Sequence, residues 1–256
     1  MLDSQRIKIA CATHDCIGKH ILIYDEIDST NTEAFRLGEL PEGSVLIADF
    51  QTQGKGRAGK RWQAAKGENI LMSVVLRPKT YWSNLGLLSL LAAEAVAETV
   101  EALTQLPTEI KYPNDVLVLH KKIAGILVEA RSNSKATHTV VVGIGLNVNQ
   151  TKFDKTLPAT SLKLLTAQDM DRTETLIALL RRLDEQYHAF QQGKTAELLD
   201  AWKARCAMIG KVVVFRHEGR LRTGKAIDVD EVGFLWIESE GERVRYAQTE
   251  ISDVRY

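Results

Sequence analysis

The residues best suited to chemistry lie between positions 51 and 62, QTQGKGRAGKRW, where three glycines alternate with Lys55, Arg57, Lys60 and Arg61. Gly54, Gly56 and Gly59 fit the G-x-G-x-x-G dinucleotide pattern, while Gly54, Gly59 and Lys60 fit the opening of a P-loop. Both motifs need a helix directly after the glycines, because the phosphate rests on that helix's N-terminus. Here KRWQAAKGENILMSVV follows, broken by Gly67 and continuing as an apolar strand. Position 61 is Arg where a P-loop needs Ser or Thr, and no acidic residue ends a strand about twenty positions on. Both readings fail. What remains is a strand–loop–strand element in which glycines let the backbone approach an anion and four cations neutralise it. Trp62 directly after the charges offers a planar surface for an apolar ligand part.

Three further blocks carry polar groups at strand ends. In KYPND, Pro113 stiffens a turn that presents Asn114 and Asp115 beside Lys111, a set suited to a nucleotide phosphate with its Mg²⁺. In KKIAGILVE, Lys122 enters an apolar strand, and Gly125 permits close backbone approach to a ligand. In GIGLNVN, Asn147 ends a strand with an amide that can donate and accept, as a base edge requires. Each block alone also fits a bland reading: a solvated hairpin, a turn, an edge lysine or a strand cap.

The elements that must position these blocks alternate in type. HILIYDEI (20–27), SVLIADF (44–50) and ENILMSVVL (68–76) read as strands. Thr30 and Glu33 have capping-box spacing, so a helix should begin beside Ser29–Asn31. Residues 84–103 form a long helix, apolar around more than half its circumference and therefore expected to be sandwiched against a sheet. Three short strands follow over 109–131 and another over 137–149, then helices near 173–191 and 195–206. From Lys211 the pattern changes to four short alternating segments, KVVVFRH, RLRTGKAIDV, GFLWIES and RVRYAQ, separated by turn residues: a small antiparallel barrel.

The chain has 256 residues, room for one large domain with a small one. Lys plus Arg and Asp plus Glu each count 33, which argues against a surface coated for nucleic acid. No apolar run approaches the roughly 20 residues of a membrane span, and the N-terminus lacks a signal-peptide core. Cys11, Cys16 and Cys206 are odd in number without a C-x-x-C, as expected of reduced cytoplasmic thiols; His14 between the first two lacks a second cluster that would make a zinc site.

Taken in order, DSTN (28–31), GKGRAGKRW (54–62), KYPND (111–115), KIAGILVE (122–129) and GIGLN (143–147) resemble the motifs of the biotin–protein ligases, or holocarboxylase synthetases. The resemblance spans essentially the whole chain, and five blocks in the right order are specific where each alone is modest. It implies an α+β catalytic domain, its mixed β-sheet backed by helices as in class II aminoacyl-tRNA synthetases, with a small C-terminal SH3-like β-barrel. The boundaries expected are an N-terminal arm over 1–18, a biotin- and ATP-binding catalytic domain over 19–207 and the barrel over 208–256. It further implies that biotin and ATP react to biotinyl-5′-adenylate, that a lysine of a biotin carboxyl carrier domain receives the biotin, and that the protein is a cytoplasmic homodimer.

By the same resemblance, Arg57, Lys111 and Lys122 are the catalytic cations. Ser29, Thr30, Asn31, Gln51, Gly54, Lys55, Gly56, Arg57, Trp62, Lys122 and Gly125 would hold biotin. Lys55, Arg57, Trp62, Lys111, Asn114, Asp115, Lys122 and Asn147 would hold ATP and the adenylate, Asp115 supporting Mg²⁺ and Asn147 reading adenine. Lys55 and Lys60 stand where the family has arginines, Ala58 replaces a third, and Tyr112 replaces a tryptophan; point charges thereby replace bidentate contacts. Only about 19 residues precede the first strand, too few for a winged helix-turn-helix of three helices, so no repressor activity or DNA binding is expected. The rivals are a lipoate or octanoate ligase or transferase of the same fold, and a non-catalytic anion- or nucleic-acid-binding module.

Overall fold

The computed structural model describes residues 2–80, 82–132, 138–154 and 156–256. Apolar segments of the first two-thirds become seven strands: β1 (Ile21–Tyr24), β2 (Val45–Ala48), β3 (Ile70–Leu76), β4 (Glu109–Lys111), β5 (Asp115–Val118), β6 (Lys121–Ser132) and β7 (His138–Leu146). They form one sheet in the order β1-β2-β3-β7-β6-β5-β4, with β1 and β2 parallel and every other neighbouring pair antiparallel. The mixed sheet expected from the motifs is therefore present. Thr137, at the start of the last expected strand, lies outside the described residues.

Helices α1 (Ser4–Cys11), α2 (Thr30–Leu37), α3 (Leu87–Thr104), α4 (Leu162–Thr166), α5 (Arg172–Gln191) and α6 (Thr195–Arg205) complete this part of the chain. Thirteen of the eighteen residues of α3 are buried, because one side packs on β4–β7 and the other on α5 and α6. No helix among the described residues is long and apolar enough to cross a membrane.

Strand alternation assigns the two faces of the sheet different work. Met72, Val74, Val142, Ile144 and Ile126 join the core cluster that contains α3 and α5. The opposite face is read off the register in three cross-strand rows: Val75–Val141–Glu129, Ser73–Gly143–Leu127 and Leu71–Gly145–Gly125. Helix α2 covers the first row, its Ala34 packing with Leu46, Val75 and Val141. The other two rows, poor in side chains, floor a cleft.

The chain after α6 folds as a separate antiparallel sheet of β8 (Val212–His217), β9 (Arg220–Val229), β10 (Leu235–Ser239), β11 (Glu242–Tyr246) and β12 (Ile251–Arg255), ordered β11-β10-β9-β8-β12. This SH3-like unit has five strands where the sequence pattern showed four. ISDVR was missed because it is short and its alternation is broken by Asp253, whose φ is +51°. Asp253 lies where the pairing of β12 with β8 shifts register. The unit abuts the larger sheet through Tyr112, whose hydroxyl donates to the Gly233 carbonyl at 3.0 Å, and through Gln248, whose Nε2 donates to the Gly86 carbonyl at 2.9 Å.

The arm expected over 1–18 contains α1. Asp3 caps it by accepting from the amides of Gln5 and Arg6, and Ile7 and Cys11 are buried. The turn after it is tied to α5 by Asp184, which accepts from the amides of Asp15, Cys16 and Ile17.

Candidate active site

The glycine-rich loop turns back on itself: the Gly56 amide donates to the Lys60 carbonyl at 2.7 Å and the Trp62 amide to the Gly54 carbonyl at 3.0 Å. A single 3-10 turn, Arg57–Gly59, sits at its tip, with Ala58 at φ +50° and Gly59 at φ +73°. The loop lies over the open face of the sheet and encloses a cleft of about 480 Å³, its open mouth included.

Trp62 defines the floor. A Cβ on Gly145 would stand 2.4 Å from the indole and one on Gly125 2.9 Å from it, so both positions must be glycine for the ring to lie on the sheet. These two glycines are register partners on β6 and β7. Gly143, two residues before Gly145, makes the same allowance for Asn31, whose Oδ1 would be 2.3 Å from an added Cβ. The glycines of AGILVE and GIGLN are thus explained by what lies on them.

Of the four loop cations, two face the cleft and two do not. Lys55 and Arg57 line it. Arg57 donates to Asn114 Oδ1 at 3.2 Å and to the carbonyl of Gln248 in the SH3-like unit. Burial pulls its guanidinium below the ordinary value, while Tyr112 and Asp115 oppose that shift. Lys60 instead reaches Asp253 Oδ1 at 2.6 Å, and Arg61 donates to the Thr52 carbonyl at 2.7 Å. The expectation that all four neutralise one anion is corrected: past the turn at Ala58–Gly59 the chain runs back, and partners outside the cleft hold Lys60 and Arg61.

Lys122 also lines the cleft, its Nζ 2.6 Å from Asp115 Oδ1 and 5.3 Å from the Trp62 ring centroid. Lys111, on β4, is the register partner of Asp115. Burial lowers the Lys111 pKa, Asp115 opposes that, and Lys122 adds to it, which places the three groups in one electrostatic cluster. Lys111, Asp115, Gly54 and Asn147 do not line the cleft itself. A Gly54 Cβ would meet the Trp62 carbonyl oxygen at 2.5 Å, so this glycine serves the loop's fold.

Two expectations meet a different geometry. Asn147 is buried, and its amide donates to the Thr160 carbonyl at 2.9 Å while its backbone pairs with Ile123 and Leu162. It therefore clamps the 158–162 segment rather than offering an edge to a base. Asp115, expected to support Mg²⁺, is held by Lys122, and no group of three acidic, His or Cys side chains that could hold a metal exists among the described residues. The donor set does not fit a resident metal ion.

At the other end of the cleft, Ser29, Thr30, Asn31 and Gln51 come together as expected. Helix α2 does begin at Thr30, but no capping box forms: Ser29 is the N-cap and its side chain makes no capping bond. The Thr30 amide goes to Gln51 Oε1 and its hydroxyl pairs with Ser73 instead. Two residues of this network were missed in the sequence, Ser73 and Glu129. Ser73 lies 2.6 Å from both Thr30 Oγ1 and Asn31 Oδ1, and Asn31 Nδ2 donates to Glu129 Oε2 at 2.8 Å. The signal was available: Ser73 is the lone polar residue of a fully buried strand, and such a group must find partners.

The arrangement joins a polar end, a flat apolar floor and a cationic end, which suits a ligand with a hydrogen-bonding head, an apolar middle and an anionic tail that must meet a phosphate. Comparison with known proteins agrees. Residues 24–147 match the model of the biotin/lipoate A/B protein ligase family. The chain is 36% identical over 222 residues to the biotin–[acetyl-CoA-carboxylase] ligase of Mycobacterium tuberculosis, covering 84% of this chain and 80% of that one. It is 32% identical over 245 residues to the bifunctional ligase/repressor BirA of Bacillus subtilis, covering 93% and 75%. Among solved structures, the Aquifex aeolicus biotin protein ligase in complex with biotin and ATP superposes with a TM-score of 0.81 at 32% identity, over 93% of this chain and 99% of that one.

Proposed function

The chain belongs to the biotin–protein ligases of the biotin/lipoate A/B protein ligase family, and we propose that it activates biotin with ATP and transfers it to a lysine of a biotin carboxyl carrier domain. The observation that carries this reading is a single cleft that joins the cations Lys55, Arg57 and Lys122 to the polar groups of Thr30, Asn31 and Gln51.

The first step requires it. A biotin carboxylate oxygen attacks the α-phosphorus of ATP, and the bond from that phosphorus to the bridging oxygen breaks, releasing pyrophosphate. Two like charges near 4 Å repel by about 4 kcal/mol at an effective dielectric of about 20, so cations must converge where they meet. Lys122 is assigned to the carboxyl–phosphate junction, Arg57 and Lys55 to closure over the adenylate, and Lys111 with Asn114 to the ATP phosphates. The incoming anion takes over Lys122 from Asp115. Trp62 supports the apolar part of biotin. In the second step the carrier lysine's neutral amine attacks the acyl carbon, the bond from that carbon to the phosphate-linked oxygen breaks, AMP leaves with that electron pair, and the nitrogen loses a proton as the amide forms.

The loop has a second task. A mixed anhydride hydrolyses when water reaches it, and the anchoring of Arg57 to Gln248 holds the loop tip against the SH3-like unit, a closure that keeps the adenylate dry. Mg²⁺ enters this reading as the counter-ion of the ATP phosphates, bound by them rather than by a protein cage. The division at 18, 207 and 208, the homodimer and the cytoplasmic setting belong to the same proposal. Free Cys11, Cys16 and Cys206 accord with a reducing compartment.

The test is pyrophosphate release from Mg-ATP with biotin, lipoate or octanoate offered separately and no carrier present. Release with biotin alone is expected. Release with lipoate or octanoate alone would move the chain to the other branch of its family.

A further inference from the structure

The hydrogen bonds beneath the cleft run in one direction, and Glu129 sets it. An ionised carboxylate only accepts, so Asn31 must turn Nδ2 toward Glu129 Oε2 at 2.8 Å, with a longer approach of the same Nδ2 to the Leu127 carbonyl at 3.4 Å. Asn31 Oδ1 is then the atom 2.6 Å from Ser73 Oγ, and that contact requires the Ser73 proton. With its one proton given to Asn31, Ser73 can only accept at its second 2.6 Å contact, so the Thr30 hydroxyl donates to Ser73. The longer 3.1 Å approach of Thr30 Oγ1 to Gln51 Oε1 is left without a proton. Thr30 therefore presents lone pairs to the cleft.

Gln51 is fixed by the same logic. Its Oε1 accepts the Thr30 amide at 2.7 Å, which leaves Nε2 as a donor with no partner among the described residues. The cleft end thus sets an acceptor, Thr30 Oγ1, beside a donor, Gln51 Nε2. That pair complements an N–H adjacent to a carbonyl, the edge of a cyclic urea, and has no counterpart in a dithiolane or an alkyl chain.

We infer that Glu129 is a specificity-determining positioning residue: acting through Asn31 and Ser73, it locks the Thr30 hydroxyl as an acceptor for a ligand N–H. Glu129 lies at the end of AGILVE, does not line the cleft, and reaches it through this relay and through its pair with Lys55. Lys55, 3.6 Å from Glu129 Oε1, pairs with the carboxylate and links the relay to the glycine loop. The inference rests on the biotin reading above and adds the group that sets its head-group recognition.

Glu129→Gln tests it. A carboxamide can donate, so Asn31 can turn over, the relay can reverse, and the Thr30 proton can point at the ligand N–H. The readout is the ratio of affinities for biotin and for a biotin methylated on one ureido nitrogen, measured by calorimetry. The analogue carrying no proton at the Thr30-facing nitrogen identifies the relevant N–H. The parent is expected to prefer biotin strongly, and Glu129→Gln is expected to lower that preference at least fivefold, chiefly by weakening biotin. Ser73→Ala, which cuts the relay but leaves the Glu129–Lys55 pair, is expected to lower it similarly. A purely structural role would weaken both ligands alike. If the parent binds biotin and both variants keep the parent's preference, the relay is overturned. If the parent binds no biotin, the functional reading falls first.

Discussion

Asp115 and Lys122 meet at 2.6 Å across the β5–β6 hairpin, where a bulge at Val116–Leu117 shifts the register of the two strands. The pair holds the one cleft lysine that also stands over Trp62, at 5.3 Å from its ring centroid. Lys122 is thus parked on a carboxylate at the place where an anion is expected to react, and its ammonium is available by exchange of one anionic partner for another.

Removing that cation while keeping its stem should expose its role. Lys122→Met is expected to slow biotin-dependent exchange of pyrophosphate into ATP at least 100-fold, since a charge near 4 Å is worth about 4 kcal/mol at an effective dielectric of about 20. Asp115→Asn, which leaves the lysine in place, should cost less than tenfold. A loss below threefold for Lys122→Met would remove Lys122 from the junction.

The glycine floor makes a steric prediction. A Cβ at Gly145 would lie 2.4 Å from the Trp62 indole, so Gly145→Ala should displace the ring, shift tryptophan emission and weaken biotin binding at least tenfold. The fold should survive, because the obstacle is a side chain over a cleft. Adding Trp62→Ala relieves the clash and should leave the Gly145 substitution with little further effect. Additive losses in the double variant would show that the two positions do not act through one contact.

Arg57 ties the loop tip to Asn114 and to the Gln248 carbonyl. Arg57→Gly releases both contacts while Lys122 remains, so adenylate should still form but escape. The expected outcome is biotin attached to lysines of a bystander protein such as serum albumin, at a rate at least tenfold above the parent's. Retention of adenylate as tight as in the parent would refute the closure.

Far from the cleft, Glu94 is buried in α3 against Arg205, and burial pushes its carboxyl up to about 7 although Arg205 opposes it. The folded protein therefore binds a proton that the unfolded chain has released between the ordinary glutamate range and pH 7. Its contribution is full below that window and is lost as pH rises through about 7. Glu94→Gln keeps an acceptor for Arg205 without the titration. It should melt about 4–8 °C above the parent at pH 8, for a gain of about 2 kcal/mol, and match it near pH 5. Equal pH slopes for the two proteins in thermal melts would overturn this.

The sequence alone determined the strands that build the mixed sheet, the long buried helix and the blocks that meet at the site, because periodicity, turn residues and glycine placement are local properties. It identified Thr30, Gln51, Lys55, Arg57, Trp62 and Lys122 as site residues, and all six line one cleft. Partners distant along the chain were decided only by the tertiary structure. Thr30 and Glu33 have capping-box spacing, yet the Thr30 amide turns to Gln51 and its hydroxyl to Ser73, which lies 43 residues away. Lys60 and Arg61 look like Arg57 in the sequence, but the loop's turn gives one to Asp253 and the other to Thr52. Asn147 ends its strand as expected, while the 158–162 segment claims its amide. The polarity of the Glu129 relay is the clearest case. A hydroxyl or amide carries both donor and acceptor capacity, and which one faces a ligand is settled by the chain of neighbours behind it, brought together from β3, β6 and α2 by the sheet register.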